Sequence, residues 1–299
     1  MKDKTDGITL MESSPVAVSI LRLSIPMMLG SIAQMVYNMT DTFFIGQTGD
    51  PNMVAGVSLT MPLFMFSQGL GNIFAVGASS YISRMLGAKR LDEAKHTSAV
   101  SFYVTIALGL AVTLLLVLFR TPILHIVGTS DITFRYASDY FTIISTFIAF
   151  AMVNIALGGQ IRSEGASAKA TVGMMIGIVV NIILDPLFIL ALNLGVAGAA
   201  WATVIGLIAS TVYYVQYFLR GNSILSIKPA DFKPNAAMFK EVLKIGVPSA
   251  VSNFVMTLAM IITNVMAAGY GDFVVAGSGV NGRITSVSFM LVLAIAFGY

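Results

Sequence analysis

Two carboxylates stand inside apolar runs of this chain. Asp41 lies in the run 23–45 and Asp185 in the run 170–192. An ionised side chain deep in a bilayer costs roughly 2.5–3.5 kcal/mol on insertion scales, so acids in such runs are candidates for function. Asn181 precedes Asp185 by four residues and shares its helical face. Pro186 removes one backbone hydrogen bond and loosens the Ile182 carbonyl beside them. Thr203 falls in the first turns of the next run, and Tyr140 lies high in the fourth. Tyr37 and Gln34 follow one and two turns below Asp41. Carboxylate, amide, hydroxyl and carbonyl oxygens in one place suit a hard monovalent cation or a carboxyl proton. Plainer readings stand beside this one: Asp41 as an interfacial residue reaching for the surface, and Asp185-Pro186 as a simple helix end.

Other polar residues carry less. Asn154, near the inner end of the fourth run, reads as a support for a solute cavity or as helix–helix glue. His96 and His125 read as loop residues, with no metal or catalytic role for either. Gly69, Gly71 and Gly77 lie in an apolar run without the strand context of a nucleotide loop, so close helix packing is their expected role. The 18 methionines suit either an adaptable cavity or an ordinary membrane core. With no phosphate-binding loop, nucleophile–base arrangement or metal-ligand spacing, nothing argues for an enzyme, a resident cofactor or an ATP-driven pump.

The elements that must position these groups follow from composition. Of 299 residues, 57% are hydrophobic and 10% charged, against about 25% charged in ordinary soluble domains. The apolar residues fall into blocks at 23–45, 57–82, 97–119, 136–157, 170–192, 199–219, 245–268 and 278–299. Each is long enough to cross a hydrocarbon core of about 30 Å. The fold class is therefore an all-α membrane protein, a polytopic helical bundle. Zero cysteines exclude disulfides and thiol chemistry. The first 14 residues are polar and lack the apolar core of a cleavable signal, so the first span is expected to direct insertion itself.

Fourteen of the 17 lysines and arginines fall in the N-terminal segment and in alternate connections, around 84–95, 162–169 and 220–244. Their place at span ends argues for topology rather than for nucleic acid as a partner, and sets the N-terminus in the cytoplasm of a cell membrane. Along span one Asp41 is then about 27 Å from its inner end, and along span five Asp185 about 22 Å, at 1.5 Å per residue. Both carboxylates are expected at similar depth in the outer half. Arg283 is expected to reach the outer interface.

The chain also repeats. LRLSIP at 21–26 parallels LKIGVP at 243–248, and Gly49-Asp50 parallels Gly271-Asp272, both 222 residues apart. Val54-Ala55-Gly56 parallels Val275-Ala276-Gly277 after a one-residue gap. Six spans per copy make two six-helix repeats in one orientation, related by an axis along the membrane normal. The expected division is an N-lobe over 1–222, an inter-lobe linker over 223–242 and the start of a C-lobe over 243–299. The second copy is expected to be incomplete, and its absent helices to be needed for activity.

These segments resemble a known family. GLGNIFAVGASSYISRMLGAKRLDEA (69–94), QIRSEG (160–165), NIILDP (181–186) and GVAGAAWAT (195–203) are similar to multidrug and toxic compound extrusion (MATE) transporters, as are Pro26 and Asp41 in span one. The resemblance implies twelve helices in two lobes, alternating access, and exchange of Na⁺ or H⁺ for bulky, often cationic, amphipathic compounds. It implies a cation site at Asp41, Asn181, Asp185 and Thr203, as in the DinF-like branch. Another branch carries an acid in span seven; here the position equivalent to Asp41 is Thr263. Expected partners are organic solutes and membrane lipids. A lipid-linked oligosaccharide flippase of the same superfamily shares the span count and repeat, but tends to use an Arg-lined cavity, and the N-lobe spans here are nearly free of Arg and Lys. A channel or a non-transporting scaffold would share the spans without needing paired acids.

Overall fold

The computed structural model describes residues 16–271 and positions 274, 277, 278, 281, 282 and 285. Their elements are α1 (Val16–Gly46), α2 (Pro51–Gly87), α3 (Leu91–Leu118), a short α4 (Arg120–Ile126), α5 (Asp131–Thr146) and α6 (Ile148–Ser163). Then come α7 (Ser167–Pro186) with a π-helical turn (Leu187–Ala191), α8 (Gly195–Leu219), a 3₁₀ turn (Pro229–Asp231) and α9 (Ala236–Ala268). No strand occurs among the described residues. Asp272, Arg283 and most of the expected span 278–299 lie outside them, as do the first 15 residues.

The helix starts are chemically marked. The Asp50 carboxylate accepts the Asn52 amide, with Pro51 at the first helical position of α2, and Ser130 and Thr133 form a reciprocal capping box on α5. Asn235 caps α9 through the Ala237 amide at 2.9 Å. That helix therefore begins inside the segment expected as linker. His96 lies on α3 and His125 on α4, so the loop placement of both is corrected. α3 starts earlier than its apolar run because Leu91–Lys95 are helix-competent residues, and α4 is a separate two-turn helix between the runs 97–119 and 136–157.

Five described helices are long and apolar enough to cross a membrane, and α5 with α6 makes a sixth unit bent by 52°. The run 136–157, expected as one straight span, breaks at Phe147. No proline lies there. Instead the Thr142, Ser145 and Thr146 hydroxyls donate to carbonyls three or four residues back at 2.7, 3.3 and 2.7 Å. Such bonds compete with the helical ladder and bend it. Large apolar side chains such as Leu110, Leu114, Leu118, Ile183 and Val255 face outward, as lipid contact requires.

Within the bundle α2 is central, packing on α3, α5, α6 and α9, while α7 packs between α1 and α8. Two apolar cores form. One lies around Leu124, Phe141, Ile189 and Val196; the other, toward the basic end, lies around Ile82, Leu157, Phe218 and Val242. The expected packing role of the glycines holds: a Cβ on Gly71 would sit 3.2 Å from Met152, and one on Gly77 would sit 2.3 Å from the Val242 carbonyl. At the basic end the buried Glu164 carboxylate accepts from Tyr217 (2.8 Å), Ser223 (2.7 Å) and the Ile224 amide (3.1 Å). Burial pushes its carboxyl up from the usual range while those bonds oppose the rise.

The turn after α9 repeats the turn after α1 at the same 222-residue offset. Gln47 N–H donates to the Phe43 carbonyl as Gly269 does to Val265, and Thr48 donates to Ile45 as Tyr270 does to Ala267. Gly49 and Gly271 both adopt positive φ, 75° and 108°. Glycine is favoured there because a Cβ would be strained.

Candidate cation site

Asp41 sits five residues before the end of α1, and Asp185 one residue before the end of α7. Both are therefore near the end of the bundle remote from the basic connections. Asp185 is fully buried at 0% exposure and Asp41 nearly so at 4%. The two carboxylates are close enough to influence each other electrostatically.

Thr203, two turns into α8, is the hub. Its hydroxyl accepts from Asn181 Nδ2 of α7 at 3.3 Å and lies 3.4 Å from the Tyr37 hydroxyl of α1. Tyr140 of α5 is buried and comes within electrostatic reach of Asp41, Tyr37 and Asp185. Four helices thus bring Asp41, Tyr37, Tyr140, Asn181, Asp185 and Thr203 together. Local structure explains part of this. The π turn after Pro186 widens the helix directly beyond Asp185. At the α7–α8 crossing, a Cβ on Gly206 would sit 2.5 Å from the Gly177 carbonyl, so two glycines let Asn181 meet Thr203.

The donors do not satisfy the acceptors. With Asn181 Nδ2 committed to Thr203, its Oδ1 is buried without a hydrogen-bond partner, and so are both oxygens of Asp185. A buried ionised carboxylate with no donor is strongly disfavoured. A proton on Asp185, or a small hard cation held between these oxygens, removes the penalty. Hard cations prefer this all-oxygen donor set, and no group of three or more Asp, Glu, His or Cys suited to a transition metal occurs among the described residues.

The remaining candidates lie apart. Gln34 is half-buried on α1 and is not hydrogen-bonded into the cluster. Asn154 donates to Ser210 (2.8 Å) and Thr211 (3.1 Å), binding α6 to α8. Sequence reasoning missed the clasp outside the site, where the Tyr136 hydroxyl donates to Asp50 at 2.8 Å. The signal present was Tyr136 one turn from Tyr140, together with the repeated Gly-Asp.

Comparison with known proteins gives a consistent result. The MatE family model matches residues 26–187. The multidrug export protein MepA of Staphylococcus aureus is 34% identical over 295 residues, covering 99% of this chain and 65% of MepA. MepA of Staphylococcus saprophyticus is 32% identical over the same coverage. This chain thus spans 65% of the length of those relatives. An outward-facing multidrug resistance MATE transporter of the MOP superfamily superposes with a TM-score of 0.90 at 30% identity, over 98% of this chain and 65% of that one. A MOP superfamily transporter from Pyrococcus furiosus, described as having a binding pocket of reverse polarity, gives 0.88 at 30% identity over the same shares. The family match extends over more than half of the chain and ends one residue past the Asp185-Pro186 pair, and on this ground the chain belongs to the MatE family.

Proposed function

We propose that this protein is a secondary-active exporter that exchanges Na⁺ or H⁺ for organic, often cationic, amphipathic compounds by alternating access. The observation that carries the reading is the buried, donor-poor Asp185 carboxylate beside Asp41, with Asn181, Thr203, Tyr37 and Tyr140 around them. Such a site has two stable states: loaded with a cation or proton, or open to water. A conformation that buries the carboxylates is favoured when they are loaded and penalised when they are bare, which couples ion occupancy to shape. Loading shifts α1 around Asp41 against α7 and α8, narrows the solute cavity and releases solute outward.

The relatives' names support the substrate class, since MepA is a multidrug export protein. The chemistry of the site leaves H⁺ and Na⁺ as competitors for the same oxygens. Coupling belongs to the first six spans, as in the DinF-like branch. At the position in α9 equivalent to Asp41, the Thr263 hydroxyl turns back on its own Ala259 carbonyl at 2.8 Å.

The test is efflux of a fluorescent organic cation from proteoliposomes under imposed Na⁺ or pH gradients, at matched protein levels. Asp41→Asn and Asp185→Asn should each abolish gradient-driven efflux, because neither amide can take up the coupling proton or neutralise a cation. Asn181→Ala and Thr203→Ala each remove one neutral oxygen and should cost about tenfold or less. If both carboxyl variants kept near wild-type coupled efflux, the mechanism would have to be abandoned.

A further inference from the structure

At the basic end of the bundle, where α2 ends, α3 begins and the chain enters α9, a cavity of about 490 Å³ opens. Its polar lining is Tyr81, Glu93, His96, Thr97, Lys233 and Asn235, completed by Pro234, Ala236 and Met238. The volume falls within the roughly 300–1,000 Å³ of small-molecule sites. It is separate from the carboxylate cluster, and the proposed transport cycle makes no use of it.

Several of its polar groups are already committed. The Glu93 carboxylate pairs with Arg90 and accepts from the Tyr81 hydroxyl at 3.5 Å, so its charge is compensated. Thr97 donates to the Glu93 carbonyl at 2.7 Å. Asn235 Oδ1 is occupied by the Ala237 amide at 2.9 Å, so the helix start is capped by its own side chain. The uncommitted groups are Lys233, which pairs with no carboxylate among the described residues, and His96, whose Nδ1 is buried without a hydrogen-bond partner.

With Glu93 neutralised by Arg90, Lys233 is the uncompensated charge of the lining, and the balance is cationic. The ligand it selects is an anion with several oxygen acceptors. The cavity lies at helix ends, on the face that carries the basic connections 84–95, 162–169 and 220–244, with 11 of the 17 lysines and arginines. Basic pockets at the ends of spanning helices meet lipid headgroups, whose phosphates supply such oxygens.

We propose that this cavity binds a phosphate ester, and specifically the phosphate of an anionic membrane lipid. Lys233 and His96 hold the phosphate oxygens, while the glycerol portion lies against Pro234, Ala236 and Met238. A lipid seated there bridges the α2–α3 hairpin to the start of α9, adding to the apolar core that Met238 and Val242 share with Ile82 and to the exposed Arg84–Glu241 pair at 3.0 Å.

The experiment measures binding to the purified protein by native mass spectrometry and by shift of its thermal midpoint. The probes are short-chain phosphatidylglycerol, phosphatidylcholine and glycerol 3-phosphate. Phosphatidylglycerol should bind saturably and raise the midpoint, phosphatidylcholine should not, and glycerol 3-phosphate should compete. Lys233→Gln and His96→Gln should each weaken binding roughly tenfold, since each removes a charge-assisted or buried hydrogen bond. Lys228→Gln, on the same face but outside the lining, should leave it unchanged. Binding of glycerol 3-phosphate without phosphatidylglycerol would keep the phosphate site and assign it to a soluble ester. Equal stabilisation by phosphatidylcholine, or phosphatidylglycerol binding unchanged in both Lys233→Gln and His96→Gln, overturns the proposal. None of these readouts depends on efflux.

Discussion

Asp50 serves the carboxylate cluster without belonging to it. One carboxylate oxygen caps α2 through the Asn52 amide at 2.9 Å, and the other accepts from Tyr136 at 2.8 Å. Tyr136 is one turn from Tyr140 on α5, so the clasp holds the outer end of the α1–α2 hairpin against the helix that delivers Tyr140 to Asp41. The Tyr136 hydroxyl and the Asn52 amide hold the Asp50 carboxyl below the usual carboxylate range. Because the folded value is depressed, the clasp's contribution is fully present above the unfolded pKa of about 3.9 and fades as pH falls through the folded value. Asp50→Ala should therefore cost about 1–2 kcal/mol at pH 7, from the lost cap and bond. Wild type and variant should converge in acid, and thermal melting in detergent at neutral and acidic pH checks this. A difference that stayed constant across pH would separate the carboxylate's charge from the clasp.

At the scale of the element, the crossing of α7 and α8 decides whether the site exists. Gly177 and Gly206 bring the two backbones together, and Asn181 and Thr203 face each other one turn along. A Cβ on Gly206 would sit 2.5 Å from the Gly177 carbonyl, and backbone cannot yield as a flexible side chain does. Gly206→Val should therefore lower stability by about 1–3 kcal/mol and part the Asn181–Thr203 bond. Gly87→Ala is the control: nothing lies within 4 Å of a Cβ there, and its melting temperature should match wild type or exceed it slightly. Equal melting temperatures for Gly206→Val and wild type would show that the crossing can relax. The bend at Phe147 belongs to the same scale, since it lets one span carry Tyr140 into the cluster and Asn154 onto Ser210 and Thr211.

Across the whole molecule, charge asymmetry predicts the orientation that the proposed export requires. Lys89 lies in the α2–α3 connection with three neighbouring basic residues, and Asn52 lies at the opposite end of α2. Cysteines placed at these positions in the naturally cysteine-free chain should label from opposite faces of intact vesicles, Lys89→Cys from the cytoplasmic side. Labelling of both from one side would overturn the orientation, and with it the outward direction of transport. The matching turns after α1 and α9 support the proposed division into lobes, in which α2 of the first repeat receives α9 of the second.

The sequence by itself determined the membrane class, and it supplied the expected 222-residue repeat and the oxygen-bearing residues of the candidate site. Each of these is written in one dimension, as runs of hydropathy, as charges at run ends, or as residues one helical turn apart. Only the tertiary structure decided that Thr203 is the hub between Tyr37 and Asn181, that Tyr136 clasps Asp50, and that Asn154 turns away to Ser210. It also decided that Glu164 is held by Ser223 and Tyr217 and that span four breaks at Phe147. Tyr37 and Thr203 are 166 residues apart, and Asp50 and Tyr136 are 86 apart. Their meeting depends on which faces of separate helices pack together, and a helical period fixes a face only relative to its own axis, never to a neighbour's.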